Sequence, residues 1–166
     1  APAWKNLPGT DGKMHSLSDL KDKAAIVVVF TCASCPTAVD YEPRISELAG
    51  RFAEKSVAVV AICVNQVKQD KLDMLTERVK KQELGFHYLQ DESQQIAKDF
   101  GAISTPEFFV LNRDRKVVYM GAMDDASDAE KVKEKWVEQA LAATLPGEPI
   151  QTAETIARGC RVRWRR

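Results

Sequence analysis

Apolar and polar positions change period several times along the chain, and each change marks an element. Residues 26–30 (Ile, Val, Val, Val, Phe) and 57–64 are apolar and rich in β-branched side chains, with no polar alternation. That is the pattern of strands covered on both faces by helices. Between them, Val39, Ile45, Leu48, Phe52 and Ala53 recur at near-helical spacing and predict a helix over residues 32–54, with Pro36 in its first turn and Pro43 as a kink. Leu72, Leu75 and Val79 predict a second helix over residues 69–82, followed by a short strand at 86–89. Residues 93–100 read as a helix capped by Asp91 or Ser93 and stopped at Gly101. Two apolar runs, 107–111 and 116–120, flank the turn-forming sequence Asn112-Arg113-Asp114-Arg115 and predict an antiparallel hairpin. Ser127 and Glu130 are a capping-box signal for a last helix reaching residue 145, which buries Val132, Trp136, Ala140 and Leu141.

Upstream of these, Gly9-Thr10-Asp11-Gly12 is a tight turn inside a small N-terminal hairpin, and residues 16–20 are a short helical turn. Strands alternating with helices and closing in a hairpin predict an α/β fold with a central mixed β-sheet flanked by helices, in one domain over residues 1–145. Residues 146–166 have little periodicity and read as a C-terminal extension, in which Cys160 and Trp164 are expected to pack back. A chain of 166 residues with 45% hydrophobic content is enough for one ordinary core. Its 24 basic and 24 acidic residues cancel, so no global charge points to nucleic acid and none is expected as a partner. Arg158, Arg161, Arg163, Arg165 and Arg166 crowd the end of the chain and read as a solvated tail. No apolar run approaches the roughly 20 residues needed to cross a bilayer. The Ala1-Pro2-Ala3 opening, without an initiator Met, reads as a mature exported form or an excised domain, and the expected location is extracytoplasmic in a bacterium.

Candidate chemistry sits where the first buried strand ends, in Thr31-Cys32-Ala33-Ser34-Cys35-Pro36. Reactive groups in open α/β sheets gather beyond the carboxyl ends of strands. A helix starting at residue 32 would offer Cys32 the unpaired N–H groups and partial positive charge that favour a thiolate. Cys35, one turn later, would then resolve a mixed disulfide formed at Cys32 and close a Cys32–Cys35 bridge. A zinc site would need a second close pair, but Cys63 and Cys160 stand alone and His15 and His87 are not at ligand spacing, so no metal is expected. A purely structural bridge over so short a loop would constrain little of the unfolded chain. Cys63, inside an apolar run, reads as an inert core residue. Cys160 is left with two readings, an additional resolving thiol or a packed anchor beside Trp164.

These residues, with two further stretches, resemble the thioredoxin-fold redoxins, the group that spans thioredoxin-like thiol–disulfide oxidoreductases and peroxiredoxins. The lead-in from Leu7 through Lys23 resembles the redoxin N-terminal hairpin, and residues 31–36 resemble the redoxin active-site turn. Ser104-Thr105-Pro106-Glu107-Phe108-Phe109-Val110-Leu111 is similar to the strand that begins with a cis-proline, and Gly159-Cys160 with Trp164 resembles a tail motif of bacterial peroxiredoxin-like proteins. The resemblance implies a thioredoxin-like fold and dithiol–disulfide exchange with protein substrates or a redox partner protein. Cys32 and Cys35 would be catalytic, and Thr105 with a cis Pro106 would form the substrate-docking edge. It implies no cofactor and a monomeric protein.

The departures from that family define the alternatives. Peroxiredoxins carry a hydroxyl residue three positions before the peroxide-reactive cysteine and a proline earlier. Aligned on Cys35-Pro36, this chain has Cys32 and Val28 in those places. A peroxidase is therefore the second reading and a non-catalytic binding module the third. Thioredoxin's buried acid in the preceding strand is also missing. Asp40 and Glu42 are the nearest carboxylates in sequence, and solvated side chains are the expectation for both.

Overall fold

The structure is a computed structural model that describes residues 1–166. Its centre is a five-stranded mixed sheet in the order β5-β4-β3-β7-β8, formed by β3 (Ala25–Thr31), β4 (Val57–Cys63), β5 (Tyr88–Gln90), β7 (Glu107–Leu111) and β8 (Val117–Gly121). β3, β4 and β5 run parallel, and β7 and β8 are antiparallel additions on the other side of β3. β3 is buried along its whole length, and its side chains divide by parity between two cores. Ala25, Val27 and Val29 face α1 (Pro36–Phe52), α2 (Leu72–Lys81) and α4 (Trp136–Thr144). Ile26, Val28 and Phe30 face α3 (Gln95–Phe100) and the N-terminal segment carrying Trp4 and Leu17. Each of these larger side chains contributes roughly 1.5–3 kcal/mol on burial, which is why the strand has no room for polar alternation.

Peripheral pieces complete the layers. β1 (Leu7–Pro8) and β2 (Met14–His15) pair antiparallel around the predicted turn, and a short 3-10 turn over Leu17–Leu20 follows. α3 is capped as the sequence suggests: the Asp91 carboxylate accepts the N–H groups of Ile96 (2.9 Å) and Ala97 (3.3 Å), and Gly101 ends the helix in the left-handed region. Glu42, buried on α1, is held bidentately by Arg78 and by the Tyr88 hydroxyl, so it ties α1 to α2 and β5. Asp40 is exposed.

Three expectations are corrected. The first helix starts at Pro36 rather than residue 32, because Asp70 captures the N–H groups that would have opened it. The last helix starts at Trp136. Asp128 caps only the 3-10 turn Ala129–Lys131, and Asp125 accepts the N–H groups of Lys133 and Glu134, which holds the intervening residues in a loop. Third, Glu42, expected in solvent, is buried in its ion pair with Arg78. The extension packs back, as expected at Cys160. Its backbone exchanges hydrogen bonds with Met120, and β9 (Cys160–Arg161) pairs antiparallel with β6 (Ser104–Thr105). Two glycines make this approach possible: a Cβ at Gly121 (φ 139°) would collide with the Thr155 carbonyl, and one at Gly159 (φ 155°) with the Thr105 carbonyl.

Candidate active site

The carboxyl end of β3 delivers Thr31 and then a loop, residues 32–35, that is neither strand nor helix. Asp70, on a 3-10 turn after β4, shapes that loop: its buried carboxylate accepts the N–H groups of Ala33 (2.7 Å) and Ser34 (3.1 Å) and the Ser34 hydroxyl (2.5 Å). With those donors taken, the helix opens one turn later on Pro36, whose missing N–H is no loss there. The N-cap is therefore Cys35, and its sulfur lies 3.5 Å from the Ala38 N–H that points at it. The favourable end of the helix dipole therefore lies at Cys35, not at Cys32 where a helix starting at residue 32 would have put it.

The pairing differs as well. The disulfide joins Cys35 to Cys160, with Cα atoms 6.1 Å apart, while Cys32 and Cys63 are free and buried. Cys160 thus bonds to the reactive loop from the far end of the chain, and the Cys32–Cys35 bridge expected from spacing is not the one present. Both loop sulfurs converge on Thr105. Cys32 Sγ lies 3.4 Å from its hydroxyl and Cys35 Sγ lies 3.4 Å from its carbonyl oxygen, a packing contact because the bridged sulfur has no proton to donate. The Thr105-Pro106 peptide is cis, and both residues are buried.

Cys32 has a second neighbour that the sequence pattern does not reveal. Asn65, just past the end of β4, donates its side-chain amide to Cys32 Sγ (3.4 Å) and to the Ser34 hydroxyl (3.3 Å), while its carbonyl accepts the Arg163 N–H (3.0 Å). Burial pushes the Cys32 thiol above its ordinary pKa; the Thr105 hydroxyl opposes this and the Asp70 charge adds to it. Burial likewise raises Asp70, against the pull of Ser34 and the two N–H groups, and raises Cys63 well above its ordinary value. Asn65 could have been found by the same carboxyl-end rule that singled out Cys32. Asp70 has no such signal, since Lys68-Gln69-Asp70-Lys71 reads as a solvated polar stretch.

A cysteine at a helix N-cap, a second thiol three residues before it and a threonine that touches both sulfurs and precedes a cis-proline, on a mixed sheet with helices on its two faces, define the thioredoxin-fold class. The chain belongs to the AhpC/TSA family, whose description matches residues 1–120. A hypothetical protein from Sinorhizobium meliloti 1021 has nearly the same fold, with 34% identity, a TM-score of 0.91 and coverage of 99% of this chain and 92% of that one. The pneumococcal exposed lipoprotein thioredoxin of Streptococcus pneumoniae TIGR4 shares the fold at 23% identity and a TM-score of 0.64, covering 78% of this chain and 95% of its own. Among curated proteins, the thiol-disulfide oxidoreductase ResA of Bacillus thuringiensis subsp. konkukian is 28% identical over 109 residues, 65% of this chain. The chain spans 60% of the length of that relative.

Proposed function

We propose that the protein is a thiol–disulfide oxidoreductase that exchanges disulfides with protein substrates through Cys32, Cys35 and Cys160, acting as an exported monomer. The observation that carries this reading is the free Cys32 thiol held on Thr105 beside the bridged sulfur of Cys35. Similarity to ResA supports the activity, and similarity to an exposed lipoprotein supports export. A disulfide on the reactive loop is also what an oxidising compartment maintains.

The geometry favours exchanging the two roles read from sequence. Cys35, at the helix N-cap, carries the mixed disulfide because its thiolate is the better stabilised of the two and is the one that attacks a substrate disulfide, whose other sulfur leaves. Cys32 resolves it: its thiolate attacks Cys35 Sγ, the Cys35–Cys160 bond breaks, and Cys160 leaves as a thiolate that takes up the proton Cys32 released. The step isomerises one disulfide into another, so no outside oxidant or reductant is consumed. A substrate disulfide bonded to Cys35 is displaced in the same way. The peroxidase reading is the weaker one, because Cys32 occupies the place of the hydroxyl that would activate peroxide at Cys35.

A titration in glutathione buffers, with alkylation and peptide mass spectrometry to locate each bridge, tests the assignment. Reversible exchange at Cys35 with a potential between about −270 and −120 mV supports an oxidoreductase, whereas a bridge that resists reduction below about −300 mV marks a structural disulfide and rejects it.

A further inference from the structure

We propose that residues 158–164 are a resident substitute for substrate, and that the groove they fill selects extended basic segments of the pattern Gly-Cys-x-aliphatic. The proposal rests on the exchange reading above and adds the substrate class. The tail has the geometry of a docked partner: it lies antiparallel on the Thr105 edge, with Thr105 opposite Cys160 and Ser104 opposite Arg161, and its cysteine is already bonded to Cys35. The Val162 N–H extends the ladder to the Ile103 carbonyl at 2.9 Å.

Four features of the groove state what it accepts. The position before the cysteine must be glycine, since the Thr105 carbonyl and the Pro106 ring leave no space for a Cβ. Two positions after the cysteine a side chain is buried: Val162 is 6% exposed and packs in the core with Phe100 and Ala102. Beyond it the chain is gripped by its backbone. Asn65 takes the Arg163 N–H, and the buried Gln94 amide donates to the Arg163 carbonyl (2.9 Å) while accepting the Arg165 N–H (2.8 Å). Neither grip reads a side chain, so other extended segments satisfy it equally. Charge supplies the rest: Arg165 lies 3.8 Å from Glu92 and its guanidinium donates to the Gln66 side-chain carbonyl at 3.4 Å. Only one tail side chain in this stretch is buried and Cys160 itself is half-buried, so with the disulfide open the segment is left with one buried side chain and its backbone hydrogen bonds. Once Cys32 displaces Cys160, the tail leaves and a partner's cysteine segment takes the edge. The partner's thiolate then attacks Cys35 Sγ, the new Cys32–Cys35 bond breaks, and Cys32 leaves as a thiolate that is reprotonated.

The probe is the tail's own sequence as a peptide, Ala157 through Arg166, with its cysteine activated as the thionitrobenzoate disulfide and added to the reduced full-length protein carrying Cys32→Ser and Cys160→Ser, which cannot displace a captured peptide from Cys35. We expect thionitrobenzoate release with the peptide recovered on Cys35, about tenfold faster than for peptide versions carrying Gly159→Ala or Val162→Asp, the factor that one lost aliphatic burial carries. In the full chain, Gly159→Ala should speed the wild-type peptide severalfold by removing the resident competitor. Equal rates for all three peptides, each attached to Cys35, overturn the groove selectivity and leave the exchange reading standing. No peptide on Cys35 overturns both.

Discussion

Cys32 and Cys35 are three residues apart on one loop, yet their surroundings are opposite in kind. Cys35 sits on an N-cap with an N–H aimed at its sulfur, and its partner comes from the last tenth of the chain. Cys32 is free, buried, raised in pKa by that burial, and touched by a hydroxyl and an amide. What separates them is Asp70. By taking the N–H groups of Ala33 and Ser34, it delays the helix by one turn and moves the helix-end charge from the first cysteine to the second. Sequence spacing alone treats the pair as adjacent positions on one helical face, whereas a single buried carboxylate gives them different chemistry.

The largest expected effects come from removing either end of the resident bridge. Cys35→Ser should abolish exchange, by at least about 1,000-fold, as loss of a nucleophile does. It should also remove a cross-link spanning 125 residues, worth up to about 5 kcal/mol through the unfolded chain, and lower Tm by up to about 15 °C. Cys160→Ser should cost the same stability but keep exchange through Cys32 and Cys35. Calorimetry with an insulin-reduction assay on both variants separates the two losses; equal loss of activity in both would make the tail cysteine indispensable and the comparison wrong.

The elements that depend on local pattern were legible in the sequence. Both long buried strands, the N-terminal hairpin, the hairpin around Asn112–Arg115 and the Asp91 cap follow from apolar runs, turn residues and capping chemistry a few positions apart. The strand-end rule brought Cys32 and Cys35 under suspicion, the resemblance added Thr105 and Pro106, and the fold brings Thr105 onto both sulfurs. The parts that stayed hidden depend on contacts distant in sequence. Asp70 acts on a loop 36 residues earlier, Asn65 on a tail 98 residues later, and the bridge spans 125. The glycines at 121 and 159 carry a trace of this, because each is the space into which a later or earlier strand fits. In sequence, though, a glycine near a strand end or in a tail equally suits a turn or a bulge.

Cys32→Ser is the next effect in size. If Cys32 resolves mixed disulfides at Cys35, its loss should slow resolution by about 100-fold and let the Cys35-bound species accumulate, with stability changed by less than about 1 kcal/mol. Gel-shift trapping with a reduced or oxidised protein substrate reads this directly. Accumulation on Cys32 in a Cys35→Ser variant, with none on Cys35 in Cys32→Ser, would restore the order of attack that spacing suggests.

Thr105 touches the two sulfurs through different atoms, which allows one to be perturbed alone. Thr105→Val removes the hydroxyl near Cys32 and keeps the carbonyl near Cys35 in a side chain of the same shape. Because that hydroxyl lowers the Cys32 pKa, the variant should raise it and slow Cys32 alkylation up to about tenfold at a fixed pH below the midpoint. Cys35 released by mild reduction should alkylate at its wild-type rate. A shared slowing would mean that the two sulfurs answer to a single environment.

Asp70→Asn works in the opposite direction and tests the residue that creates the difference. The asparagine carbonyl still accepts the Ala33 and Ser34 N–H groups and its amide can donate to the Ser34 hydroxyl, so the loop keeps its shape while the charge disappears. Asp70 raises the Cys32 pKa, so neutralising it should lower that pKa and speed Cys32 alkylation by about two- to fivefold near neutral pH. Stability carries the matching sign. Burial raises the Asp70 pKa in the folded state, so its contribution is fully present below the ordinary value of 3.8 and is lost as pH rises through the raised one. Urea denaturation from about pH 3.5 upward should therefore show wild type losing stability relative to Asp70→Asn across that interval. A difference independent of pH, or slower alkylation of Cys32, would mean that Asp70 sets the loop by its hydrogen bonds alone and that its charge plays no part in separating the two cysteines.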